Sequence, residues 1–324
     1  MQTRPLGNTG ITVPRLGLGC ATFGREIDQD TCFAIMDAAF ERGIRLFDTA
    51  EAYGGGQARL YRKTVLGVDD EREVSGEMHS SEKIVGRWLH SRGVRDQIIL
   101  VTKVTTNFTP QHVAQAIHAS LDRLQTGFVD IYLYHQFDPN TPLDEAAHAA
   151  AAVRRRGFAR AIGCSNYNAA QLAAALDASR AAGVAPFEVI ECNYNLAVRD
   201  IETGVLPLAQ REALGVITYS PLGAGFLTGK YTPDRSQIPP GTRFDVIPGH
   251  VDIYFSERNF ALAGRLRALS TRTGIPATQL ALAWVLHNPA IDTVLVGART
   301  VAHLDNAVAA LSLPPQWHSE MSLW

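Results

Sequence analysis

Short runs of β-branched and aromatic residues recur eight times along this chain, and most are followed by a longer stretch of helical period. They fall at 15–19, 45–49, 98–104, 129–135, 160–164, 188–193, 215–220 and 293–296. Eight strand–helix repeats are the count of a (β/α)8 TIM barrel, an α/β fold with a closed parallel sheet. The segment 110–127 shows the helical period well. Val113, Ile117, Leu121 and Leu124 lie three or four apart and share one face, bracketed by Pro110 and Gly127. Leu172 and Leu176 make a similar stripe that stops at Gly183, and the alanines of 146–152 favour helix over disorder. A doubly wound open sheet is the rival architecture. It usually opens with a complete glycine fingerprint, which Gly17-Leu18-Gly19-Cys20-Ala21-Thr22 does not supply.

Ahead of the first barrel strand, 3–6 and 11–13 flank Gly7-Asn8-Thr9-Gly10, a turn suited to positive φ. An N-terminal β-hairpin capping one barrel end is expected, within one barrel domain spanning 1–324. Two connections are unusually long. One follows Tyr53 and carries 59–79; the other follows Gly229 and contains Pro233, Pro239, Pro240 and Pro248 before helix resumes near Phe255. Both leave the C-terminal ends of strands, where barrel active sites are built, so both are expected to border a substrate mouth.

Thirty basic residues against 32 acidic ones give a formal charge of −2, which argues against a nucleic-acid surface but not against a small anion pocket. Cys20, Cys32, Cys164 and Cys192 show no disulfide or metal spacing. With no secretory signal pattern and no apolar run long enough for a bilayer, a cytoplasmic protein with reduced thiols and no membrane association is expected.

The chemistry-bearing residues sit where apolar strands end. Asp48 ends the second strand, with Tyr53 on the loop beyond; Lys103 ends the third and His135 the fourth. Lysine is scarce: only Lys63, Lys83, Lys103 and Lys230 occur, against 26 arginines. A lysine behind four apolar or β-branched residues serves solubility poorly, and a charged one in a barrel mouth demands a partner, for which Asp48 is the candidate. That pair alone is equally compatible with a structural role. Adding a phenol and an imidazole points to proton transfer. An ammonium beside Tyr53 is expected to lower its pKa, and His135 to hydrogen-bond a substrate oxygen. No metal is expected, since a third ligand is missing and Lys103 would repel a cation.

These stretches resemble the aldo-keto reductase superfamily over nearly the whole chain. The resemblance is carried by Asp48-Thr-Ala-Glu-Ala-Tyr53-Gly54, Thr102-Lys103, Tyr132-Leu-Tyr-His135, Gly163-Cys-Ser165-Asn166 and Tyr219-Ser-Pro-Leu-Gly-Ala-Gly225. It implies a catalytic tetrad of Asp48, Tyr53, Lys103 and His135, with Tyr53 as general acid in reduction and general base in the reverse direction. It implies that Ser165 and Asn166 hold a nicotinamide carboxamide, that Glu191 lies nearby where many members have glutamine, and that Tyr219 stacks on the ring. Ser220, Leu222, Gly223 and Gly225 would follow the pyrophosphate. Lys230 and Arg243 would contact cofactor phosphate, Arg299, just after Gly297, would receive the adenosine 2′-phosphate, and His303 would lie in the adenine-binding stretch.

NADP(H) is thus expected ahead of NAD(H), which stays open as a second cofactor. His303, Asn306 and Ala307 depart from the glutamine, glutamate and asparagine common in relatives. The implied activity is reversible reduction of an aldehyde, ketone or sugar carbonyl to the alcohol. Phe23, Tyr53, Phe137, Tyr254 and Phe255 are candidates for an apolar substrate wall, and selectivity is expected to come from the two long connections. A regulatory subunit that binds nicotinamide but turns over slowly is the alternative. Oligomeric state is left open.

Overall fold

The computed structural model describes residues 1–69 and 71–324; Asp70, inside the long connection after Tyr53, lies outside the described residues. An antiparallel hairpin, β1 (Thr3–Pro5) and β2 (Thr12–Pro14), comes first. Eight parallel strands follow: β3 (Leu16–Gly19), β4 (Leu46–Asp48), β5 (Ile99–Val104), β6 (Val129–Tyr134), β7 (Ala159–Ser165), β8 (Val189–Asn193), β9 (Gly215–Tyr219) and β10 (Thr293–Gly297). They close in sequence order, with β10 paired to β3. The architecture is the expected α/β barrel with an N-terminal β-hairpin.

Side chains of alternate strand residues point to opposite faces, and this divides the apolar residues into two layers. Leu46, Val101, Ile131, Leu133, Ala161, Val189, Ile217 and Leu295 fill the barrel interior, joined by Leu6, Ile11 and Val13 from the hairpin region. The hairpin therefore plugs the N-terminal end. Its turn sits so tightly that a side chain at Gly7 (φ +49) would run into the backbone at Leu214 and Gly215. Outward-facing residues such as Phe47, Leu100 and Tyr132 meet the surrounding helices in the larger core.

The helices form where the sequence pattern placed them. Pro110–Leu124 starts with proline in its first turn and buries Val113, Ile117, Leu121 and Leu124. Leu143–Arg155 takes up the alanine run and buries five of its alanines. Ala169–Ala181 begins with a capping box between Asn168 and Gln171. Arg15 lies just outside β3 and turns its guanidinium to the carbonyls of Leu286 and Ile291. At the other end, Ser220 leaves the ladder because its backbone is left-handed (φ 54).

Neither long connection is plain loop. After Tyr53 the chain forms a helix, Gly55–Tyr61, continued by a π-helical turn, Arg62–Leu66, before Ser80–Arg92. The Arg62–Glu73 ion pair is buried within this insertion. The proline-rich connection contains short helices at Arg243–Val246 and Val251–Tyr254, and long helix resumes at Glu257. The two connections touch where Arg72 donates to the Asp245 carbonyl at 3.2 Å. Gln316–Ser322 is a terminal helix held to Ala277–Leu286 by Trp284 Nε1 donating to Ser322 Oγ at 3.0 Å. Among the described residues, no helix is long and apolar enough to cross a membrane.

Candidate active site

The alternation that fills the barrel interior also builds the site. One tooth beyond Leu46 is Asp48; beyond Val101 is Lys103; beyond Leu133 is His135; beyond Val189 is Glu191; beyond Ile217 is Tyr219. Polar residues at the C-terminal ends of five strands therefore continue the inward face and crown an apolar core.

Lys103 is fully buried at the centre of this crown. Its ammonium contacts Asp48 Oδ1, donates to the Thr49 carbonyl at 3.1 Å and stands 3.4 Å from Glu191 Oε1. It also lies 5.2 Å from the centre of the Tyr53 ring. Tyr53 Oη is 3.5 Å from His135 Nε2, with the two rings nearly perpendicular. The four tetrad candidates thus meet at one place, and a second carboxylate joins them.

Desolvation sets most of the electrostatics. It acts against the Lys103 charge, but Asp48 and Glu191 outweigh it, so the ammonium stays protonated well above its ordinary range. Burial raises Asp48, while direct contact with Lys103 pulls it back. Glu191, farther from the ammonium and close to the Asp48 charge, is pushed up to about 8 by burial first and Asp48 second. His135 is pushed down to about 3 by burial and by Lys103, so it is neutral across the physiological range.

Tyr53 corrects an expectation. Lys103 does lower its pKa, but burial, Asp48 and Glu191 act the other way, and the net shift is upward. One ammonium facing two carboxylates is not the cationic surrounding expected from the sequence.

A cavity of about 700 Å³ opens from this crown. Asp48, Tyr53, His135, Ser165, Asn166, Glu191, Tyr219, Ser220, Leu222 and Gly225 line one part, and Lys230, Arg243, Gly297, Arg299 and His303 another. Lys103 lies behind the wall. Gly223 does not line it; a side chain there would press on the Tyr254 ring at 2.9 Å. Asn166 ties the upper strands together. Its amide donates to the His135 carbonyl at 2.9 Å and to Ser165 Oγ at 3.0 Å, while Tyr219 Oη donates to its Oδ1 at 2.6 Å.

The residues present fit an extended dinucleotide. Ser220, Gly223, Ala224 and Gly225 all have positive φ, which curls the backbone around the cavity; a side chain at Gly225 would stand 3.4 Å from Lys230 Nζ. The Gly223 and Gly225 amides close turns onto Ser220 and Leu222, so these glycines contribute shape rather than free donors. Beyond them, Lys230 and His303 are both lowered, by burial first and then by neighbouring cations, Arg299 acting on both. His303 is thereby kept neutral near pH 7, while the two cations that repel one another, Lys230 and Arg299, make a receptive place for an anion. Arg243 is engaged differently, donating to Glu26 Oε1 at 2.7 Å.

Comparison with known proteins shows the family. Residues 15–322 match the Aldo/keto reductase family. The chain belongs to that family. Among curated proteins of Bacillus subtilis (strain 168), it is 32% identical to "Aldo-keto reductase YhdN", over 94% of this chain and 87% of that protein. It is 30% identical to "Uncharacterized oxidoreductase YrpG", over 97% of this chain and 92% of that protein. Aldo/keto reductases are oxidoreductases that typically use NAD(P)H.

Two features of this aldo/keto reductase were not read from its sequence. Glu26, on the loop after β3, lines the cavity and gathers Arg25, Arg243 and, at 3.8 Å, Arg299. No local pattern announces it, because Arg243 and Arg299 lie more than 200 residues away along the chain. The aromatic wall was also misplaced. Phe23 and Tyr254 are buried, and Tyr254 and Phe255 pack with Phe226, Phe244 and Phe260 beneath the proline-rich connection. Phe137 packs on Tyr167. Of the five candidates, only Tyr53 lines the cavity.

Lys103→Met leaves two buried carboxylates without a counterion and should destabilise the fold by about 3–5 kcal/mol near neutral pH. Both carboxyls would then have folded pKa values above their unfolded ones. Such groups are harmless below the unfolded pKa and cost increasing stability as pH rises through the folded one. The deficit should therefore shrink toward about pH 5, measured by urea unfolding. A deficit independent of pH would contradict this arrangement.

Proposed function

We propose that this aldo/keto reductase reversibly reduces an aldehyde, ketone or sugar carbonyl to the alcohol, with NADP(H) as the preferred cofactor and Tyr53 as the proton donor. The observation that carries the reading is the meeting of Tyr53 Oη and His135 Nε2, 3.5 Å apart, at the wall of the cavity and above the buried Lys103. Bound reduced nicotinamide would supply the hydride.

The chain's own residues would position and protonate. His135, kept neutral, can present an Nε2 proton to the carbonyl oxygen without adding a full charge. Tyr53 keeps its proton at neutral pH, so it is ready as an acid in the reducing direction. A developing alkoxide is basic enough to take a phenolic proton, and the Lys103 ammonium stabilises the phenolate left behind. In the reverse direction Tyr53 must first be deprotonated, so oxidation should gain more from rising pH than reduction does. Asn166 is held in place by Tyr219, Ser165 and the His135 backbone; both its N–H groups are engaged there, and Oδ1 keeps a lone pair that would accept from a carboxamide NH2.

The basic end of the cavity supports the cofactor preference. Lys230, Arg299 and His303 converge there, and Arg299 is anchored through the Gly241 carbonyl at 3.2 Å. A 2′-phosphate would relieve the repulsion between Lys230 and Arg299 and could accept a hydrogen bond from the neutral His303 imidazole; a bare ribose hydroxyl would not relieve it.

Absorbance of reduced nicotinamide during a screen of aldehydes, ketones, sugars and secondary alcohols tests the reaction class. With an active substrate, Tyr53→Phe should lower kcat by about 10²–10⁴-fold while cofactor Kd stays within a few-fold. Undiminished turnover would remove Tyr53 from the acid role. Arg299→Ala should weaken NADPH binding by roughly tenfold or more and NADH binding far less. Equal losses for the two would contradict the phosphate assignment.

A further inference from the structure

Glu191 is buried to 2% exposure at the base of the cavity, and no tetrad role uses it. Its Oε1 faces Lys103 Nζ at 3.4 Å, while its buried Oε2 meets no hydrogen-bond donor among the described residues. The charges around it can be counted. Asp48 from β4 and Lys103 from β5 carry one negative and one positive charge and are in direct contact. Tyr53 above, Tyr219 from β9 and the adjacent Cys192 are all shifted upward and stay neutral near pH 7. Ser165, paired to Glu191 across β7 and β8, has no charge. Among the described residues, the only ammonium facing it, that of Lys103, is already matched by Asp48, so an ionised Glu191 would leave one uncompensated negative charge in a buried crown.

We propose that Glu191 is a proton-linked sensor of the cofactor's redox state: the cationic, oxidised nicotinamide binds with release of the Glu191 proton to solvent, and the neutral, reduced nicotinamide binds without it. The inference rests on the nicotinamide assignment of this cavity. A cation entering beside Glu191 provides the compensating charge that the protein lacks, whereas a neutral ring provides none. By reciprocity, a protonated Glu191 weakens the hold on oxidised cofactor and favours its departure after reduction.

The sign follows from linkage. Binding that releases a proton strengthens as pH rises, by up to about tenfold per pH unit, and levels off above the free group's pKa. For Glu191 that plateau begins at about 8. The cofactor 2′-phosphate also titrates, near pH 6, but it does so in both redox forms and cancels in their ratio.

The test is isothermal titration calorimetry with NADP+ and NADPH between about pH 6 and pH 8.5, in paired buffers of different ionisation enthalpy. The affinity ratio of NADP+ to NADPH should rise at least about tenfold across this range, with more proton release for NADP+ than for NADPH near neutrality. Glu191→Gln, nearly isosteric and uncharged, should flatten the ratio and abolish the difference in proton release. Infrared difference spectra of the wild-type protein should show loss of a protonated-carboxyl band on NADP+ binding only, which requires no variant. A pH-independent wild-type ratio, or an undiminished slope in Glu191→Gln, overturns the inference while leaving the oxidoreductase reading intact. Absence of binding by either nucleotide overturns both.

Discussion

The candidate site depends on one buried ammonium. Lys103 sits one strand position above an apolar interior, shielded from water, and is tolerable there only because Asp48, the Thr49 carbonyl and Glu191 face it. A buried charge without such partners would cost several kcal/mol. Asp48 and Lys103 lie on adjacent strands, β4 and β5, so strand pairing itself brings them together, while Glu191 reaches across from the opposite wall. Closing the barrel is therefore what completes the cluster. An open sheet would leave Glu191 and Lys103 apart.

The cluster shapes everything above it. Burial above it, helped by the Lys103 charge, keeps His135 neutral, and burial, with Asp48 and Glu191 countering Lys103, holds Tyr53 in its protonated form, which suits donation to an alkoxide better than abstraction from an alcohol. Farther along the cavity, the cations that would receive phosphates are kept apart from this centre by the turn at Ser220–Gly225 and are partly balanced by Glu26. The cavity is thus polarised, with hydrogen-bonding and proton-bearing groups at one end and basic groups at the other. A dinucleotide has the matching polarity.

Much of this was legible in the sequence because it depends on local period. Alternation of two and of 3.6 located the strands and helices, and strand ends pointed to Asp48, Lys103 and His135. The Glu191 contact with Lys103 has only a partial signal in the sequence: Glu191 lies two positions beyond Val189, as Lys103 lies two beyond Val101, so each shares a strand face with an apolar residue, but which face is inward is fixed only when the barrel closes. The direction of the Tyr53 shift is likewise not local, since it depends on burial and on the second carboxylate brought in from β8. The buried aromatics around Phe226 and the Glu26 contacts were beyond sequence reading, because each depends on long-range packing of irregular segments with no period.

The most direct check of the account is the protonation of the two carboxyl groups beside Lys103 in the ligand-free protein. Carbon-13 NMR of labelled Asp48 and Glu191 carboxyls, followed from acid to mildly alkaline pH, reads this out. The account requires one carboxyl to be ionised at neutral pH while the other retains its proton and titrates only near 8. Two carboxylates fully ionised from about pH 5 upward would contradict it.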